Sequence, residues 1–159
     1  AVRWQEDQLI QETAEFIPWS AGFANEQARS FWSLLVEFQS LELGQVTFKA
    51  NLRGSRMAEF LSAASREAVA WAVQAHAGTG VAYGHAPHCA DQAALRASLA
   101  NLRSLVVSLG GNLVLRRCPT DWKGDVPVWG EPRSDLWLMR AIKHKLDPKG
   151  ILNPGRFVD

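Results

Sequence analysis

Hydrophobic positions change their period several times along the chain, and each change predicts an element. From Glu6 to Phe16, Leu9, Ile10, Ala14 and Phe16 recur among charged residues at helical spacing. Phe16-Ile17-Pro18-Trp19 breaks that pattern, because proline removes an amide hydrogen that a helix interior needs. Asn25 is a suitable cap for a second helix with the apolar set Phe31, Trp32, Leu34, Leu35 and Phe38, ending near Gly44. After Gly44 the period drops to two. Val46, Phe48, Ala50 and Leu52 alternate with Thr47, Lys49, Asn51 and Arg53, the mark of a half-buried strand. Met57, Phe60, Leu61 and Ala64 return to helical spacing. Val69, Trp71, Val73 and Ala75 alternate again, and Val81–Ala86 follows the turn Ala77-Gly78-Thr79-Gly80, which predicts a hairpin. Leu95, Leu99, Leu102, Val106 and Leu109 then form one stripe closed by Gly110-Gly111, and 112–118 reads as a last strand.

From residue 45 the order is strand, helix, strand, strand, helix, strand. That order predicts an α+β fold, a ferredoxin-like antiparallel sheet with both helices on one face. Residues 1–44 read as a mainly helical lead-in, 45–118 as the core, and 119–159 as loop, helix and C-terminal hook of one domain. The stretch 119–133, with Pro119, Pro127, Pro132, Trp122 and Trp129, predicts an ordered irregular loop. Ser134 is placed to cap the final helix, with Leu136, Leu138, Met139 and Ile142 as its packed stripe. Asp147 and Asn153 each precede a proline, where helical geometry is disfavoured, so the chain turns tightly and Ile151-Leu152 is expected to be buried.

Composition narrows the class without naming a chemistry. The chain has 159 residues, 47% of them hydrophobic and 21% charged, which excludes a disordered chain. No apolar run approaches the ~20 residues of a membrane-spanning helix, and no secretory signal pattern is found. Cys89 and Cys118 are too few for a disulfide framework, so a reducing compartment is expected. The chain opens Ala-Val-Arg-Trp without Met, the expectation for a piece of something longer. Charge is divided unevenly: residues 1–90 carry 6 basic and 9 acidic side chains, net −3, and residues 91–159 carry 11 and 7, net +4. A basic C-terminal region is either a solvated helix face with cations near the negative end of the dipole or a surface for an anionic partner.

The alternation places the candidate chemistry. If the helices cover Val46, Phe48, Ala50 and Leu52, then Thr47, Lys49, Asn51 and Arg53 face away from them. A two-residue hairpin loop at Gly78-Thr79 pairs His76 with Val81, Gln74 with Tyr83 and Ala72 with His85. Gln74, His76, Tyr83 and His85 then join the same open face, with Arg116 beside them. Cations, two imidazoles and a phenol without a carboxylate suit an anionic ligand and a proton transfer. The rival reading is a solvent-exposed polar sheet face. RNA-binding modules share this strand order, but they stack bases on aromatics of the central strands, where only Tyr83 points outward here, so nucleic acid is excluded. His76 and His85 lack the i, i+4 spacing of a helical zinc motif, so no metal is expected.

The run Leu138-Met139-Arg140-Ala141-Ile142-Lys143 through Leu146-Asp147-Pro148-Lys149-Gly150-Ile151-Leu152-Asn153-Pro154-Gly155-Arg156 resembles the closing motif of FAD-linked oxidases of the vanillyl-alcohol-oxidase type. Val128-Trp129-Gly130-Glu131-Pro132 and the Phe31-Trp32 helix are similar to the FAD-binding subunit of bacterial glycolate oxidase. The resemblance implies a two-part flavoprotein in which a cap lays its sheet over the flavin, the FAD-binding domain being absent from this chain. It implies FAD as cofactor and a small 2-hydroxy acid such as glycolate as substrate. His76 or His85 would then be the catalytic base, Lys49, Arg53, Tyr83 and Arg116 the substrate-binding groups, and Asn153 and Arg156 the contacts to the flavin. It further implies partner subunits of an oxidase complex, in the cytoplasm or at the inner membrane surface. Related dehydrogenases carry His-x-Gly-Asp-Gly-Asn-x-His on this hairpin. Here Thr79, Val81 and Tyr83 replace the Asp, the Asn and the second His, which argues against a metal and against full catalytic competence of this subunit. The alternative is a non-catalytic domain that docks a partner subunit through the basic 133–156 region.

Overall fold

Alternating Val46, Phe48 and Ala50, all fully buried, form the strand on which the core is laid. The structure is a computed structural model and describes residues 2–14, 25–41, 43–86, 88, 91–132 and 134–154. Element order is α1 (Val2–Thr13), α2 (Asn25–Glu37), β1 (Val46–Asn51), α3 (Met57–Ala64), β2 (Ala72–His76), β3 (Val81–Ala86), α4 (Gln92–Ser108), β4 (Asn112–Arg117) and α5 (Leu136–Leu146). Short 3-10 turns occupy Gly54–Arg56 and Thr120–Gly124. The chain divides into two compact units, Ala1–Phe38 and Gln39–Asp159. The first carries α1 and α2. The helix predicted over 6–16 runs instead over Val2–Thr13, and the predicted break at 16–19 lies outside the described residues. Asn25 is the first residue of α2, with φ of 53°.

The second unit is α+β. Its four strands are antiparallel in the order β2-β3-β1-β4, the ferredoxin-like order predicted from the element sequence. Phe48, Ala50, Leu113 and Leu115 from the sheet meet Met57, Phe60 and Ala64 of α3 and Leu95, Leu99, Leu102 and Val106 of α4 in one apolar cluster. The two helices therefore cover one face, as their 3.6-residue stripes require. Phe48 is the hub, with Phe60 edge-on at 6.2 Å and Trp71 at 5.1 Å between ring centroids. The indole N–H of Trp71 donates to Ser98 Oγ at 2.8 Å, satisfying a polar atom at the edge of that core. Gly84, opposite Phe48, leaves the space that the phenyl ring fills: a Cβ there would lie 2.3 Å from it.

Asp91 caps α4 by accepting the Ala94 amide at 2.9 Å, and Gly110 ends it at φ +74°. The chain after β4 then folds back along the sheet margin. Leu115 N–H donates to Val128 O at 2.8 Å, and Arg103 donates to Pro127 O. Trp122 is buried in this return with the Arg96 guanidinium 4.5 Å from its ring centroid.

The C-terminal part departs from expectation. Asp135, not Ser134, occupies the N-cap position of α5, and its side chain makes no cap hydrogen bond. No residue of α5 is buried; Leu138 and Ile142 of the predicted packed stripe are exposed. Ile151 and Leu152 are 71% and 57% exposed rather than buried. The turn itself is tied by Asp147, which is buried and whose carboxylate accepts hydrogen bonds from the amides of Ile151 and Leu152, both at 2.9 Å, and from the Lys143 ammonium. These bonds hold the Asp147 carboxyl below its ordinary value of 3.8, the Lys143 hydrogen bond contributing most.

Candidate functional site

The open side of the sheet is read by register. His76 pairs Val81, which pairs Asn51, which pairs Asn112; in the adjoining outward row Gln74 pairs Tyr83, Tyr83 pairs Lys49, and Lys49 pairs Val114. The predicted hairpin pairing is therefore present, although the loop has four residues, Ala77 to Gly80, rather than two. Its first turn is closed by Thr79 N–H on His76 O at 3.1 Å and its second by Gly80 N–H on Ala77 O at 3.3 Å.

Tyr83 sits at the centre of the candidate set. The Lys49 ammonium lies 6.0 Å and the Arg116 guanidinium 5.8 Å from its ring centroid, and the His76 ring meets it edge-on at 6.3 Å. Three of the predicted residues thus gather around the phenol of a fourth. Arg116 reaches this position through an irregularity. Leu115 pairs Phe48, yet Arg117 pairs Thr47, so Arg116 is an extra residue in β4. Such a bulge re-aims side chains locally. A second partner of Arg116 was not read from the sequence: Gln39 Oε1 accepts from its guanidinium at 3.2 Å, 77 residues away along the chain. Hydrophobic periodicity carries no signal for that contact.

The remaining candidates lie elsewhere. His85 is on the predicted side of the sheet but only 1% exposed, and its Nδ1 is 3.1 Å from Oγ1 of Thr47, itself 5% exposed. This end of the face is covered, so His85 forms a buried pair with Thr47 rather than an open group beside His76. Arg53 is not on the sheet face. β1 ends at Asn51, and Arg53 stands in the turn beyond it, exposed, lining an open cleft of about 610 Å³ with Asn51, Asn112 and Glu131. Asn153, at φ 48°, borders a mostly apolar cleft of about 410 Å³ with Met139, Ile142, Leu146 and Leu152. Arg156 lies outside the described residues.

A cationic sheet face suits a carboxylate, since charge-assisted hydrogen bonds to ammonium and guanidinium groups are among the strongest in proteins. It does not suit a diphosphate cradle, which needs free amides at a helix N-terminus. In the second unit the α4 N-terminus is already occupied by the Asp91 carboxylate. The residues gathered on this face therefore suit a carboxylate rather than a diphosphate. Among them no group of three or more His, Cys, Asp or Glu converges to hold a metal ion, and no helix is long and apolar enough to cross a membrane.

No curated protein matches the chain. Residues 131–157 match the family described as FAD linked oxidases, C-terminal domain. The loop before α5, α5 itself and the turn organised by Asp147 are thus similar to the C-terminal domain of FAD-linked oxidases, which supports a flavoprotein oxidoreductase using FAD.

Proposed function

We propose that the chain is the substrate-side cap of an FAD-dependent oxidoreductase acting on a small 2-hydroxy acid such as glycolate, and that it works with an FAD-binding domain and partner subunits. The gathering of Lys49, Arg116 and His76 around Tyr83 carries this reading. Lys49 Nζ and the Arg116 guanidinium bind the carboxylate, and the Tyr83 hydroxyl donates to an oxygen of the substrate. A ring nitrogen of His76 takes the hydroxyl proton while the α-carbon gives up its hydrogen with the bonding pair, leaving a 2-oxo acid. FAD, when bound, supplies the acceptor for that hydride. Arg53, in its cleft at the end of the same sheet, extends the cationic surface. The motif over 131–157 supports FAD as the cofactor, and the hydroxy acid is supported by the charge and spacing of the face.

The complete gene product, purified and supplied with glycolate, tests this. Flavin absorbance with turnover is expected. Lys49→Ala and Arg116→Ala should each raise KM roughly 10- to 100-fold, the loss of one hydrogen bond to a charged group. His76→Ala should lower kcat by about 100-fold or more. Turnover unchanged in all three variants overturns the assignment. A colourless full-length protein without FAD favours the non-catalytic docking domain.

A further inference from the structure

Two of the candidate residues, Arg53 in the turn after β1 and His76 at the end of β2, stand 23 positions apart in the chain, and the structure clamps their backbone segments together through glycines. Leu52 N–H donates to Gly80 O at 2.8 Å. Gly54 lies so close to the hairpin that a Cβ on it would stand 2.3 Å from Ala77 O. Gly80, at φ +68°, lies so close to the other segment that a Cβ would stand 1.9 Å from Leu52 O. Arg53 is therefore flanked by the two residues that touch the hairpin, Leu52 and Gly54. His76 is flanked by Ala77, which touches Gly54, and its carbonyl accepts both the amide of Thr79 at 3.1 Å and the Thr79 hydroxyl at 3.2 Å. Gly78, at the same hairpin tip, has open space where a Cβ would be. Close backbone approach, not flexibility, is thus what the glycines at 54 and 80 provide.

We infer that Gly54 and Gly80 are positioning residues: they lock the turn of Arg53 to the end of the His76 strand, so that His76 on the sheet face and Arg53 in the adjoining turn keep a fixed spacing toward the substrate. The inference rests on the reading of this face as a 2-hydroxy-acid site and adds to it the element that fixes its geometry. A methyl group at 54 must push the hairpin outward by about 1 Å, and a displacement of that size in a reacting constellation costs up to about 100-fold in rate.

The test uses the full-length, FAD-loaded protein. Gly54→Ala is expected to raise KM and lower kcat, at least tenfold in kcat/KM, while Gly78→Ala, on the same loop, stays within twofold of the parent. Equal losses in the two variants, or a folded Gly54→Ala protein with parental kcat and KM, overturn the lock. Should Gly54→Ala fail to fold, a double-mutant cycle answers the question. With a rigid pair, Arg53→Lys and His76→Gln are non-additive in kcat/KM by tenfold or more, and additivity within twofold overturns it. Failure of the functional reading looks different: His76→Gln alone would then leave turnover unchanged, and the lock's role in catalysis falls with it.

Discussion

The carboxylate of Asp147 receives two amide hydrogens and the Lys143 ammonium, and Lys143 reaches on to the carbonyl of Leu152, so one acidic side chain closes the turn between α5 and the Asn153-Pro154 step. Because the folded-state carboxyl titrates below its ordinary value of 3.8, its contribution is present above that value and is lost as the pH falls through the lower one. Asp147→Asn is expected to release the Ile151 and Leu152 amides, seen as faster hydrogen exchange at neutral pH, with the parent protein approaching the same exchange only in strong acid. Lys143→Met should speed exchange at the same two amides by a smaller factor, since two of the acceptor's bonds survive. From the sequence, Asp147 reads as a residue restrained by the following proline. Its role as an acceptor of amides four and five residues on follows from the path of the chain, which no spacing rule reports.

Among the elements, those built on strong periodicity are the ones the sequence displays. β3 runs over the predicted 81–86, and α4 carries the stripe Leu95, Leu99, Leu102, Val106 between an Asp cap and a Gly stop. Asp91→Ala should lower stability by about 1 kcal/mol, the usual cost of a lost N-cap, measurable as a shift in the denaturation midpoint. Where a pattern depends on what covers it, the sequence is silent. His85 and Tyr83 alternate identically in β3, yet one is buried against Thr47 and the other is the centre of an open cluster. Likewise the stripe on α5 has proper helical spacing, but periodicity reports only that a face is apolar, not that a partner within the chain meets it. The bulge that brings Arg116 over Tyr83 breaks alternation by one residue, and Leu115-Arg116-Arg117 gives no local sign of it.

At the scale of the molecule, apolar surface is distributed unevenly. The core of the second unit is closed, with Val46, Phe48, Phe60, Leu95, Val106 and Leu113 inaccessible, while Trp137, Leu138, Ile142, Leu146, Ile151 and Leu152 are exposed within a short stretch. Exposed apolar groups at this density promote association. The 159-residue chain alone is expected to show concentration-dependent self-association in sedimentation velocity, and Leu146→Glu with Ile151→Glu should reduce it without altering the melting of the sheet. Parental association in the double variant would assign the effect to another surface. The return of the chain over Trp122 has a spectroscopic consequence. The sequence contains seven tryptophans, and Trp4, Trp32, Trp129 and Trp137 are half or more open to water, whereas Trp122 is 1% exposed beneath the Arg96 guanidinium. Those four indoles are thereby open to a dissolved quencher, and Trp122 contributes a shielded component, an intrinsic optical marker of whether the segment beyond β4 still lies against the sheet.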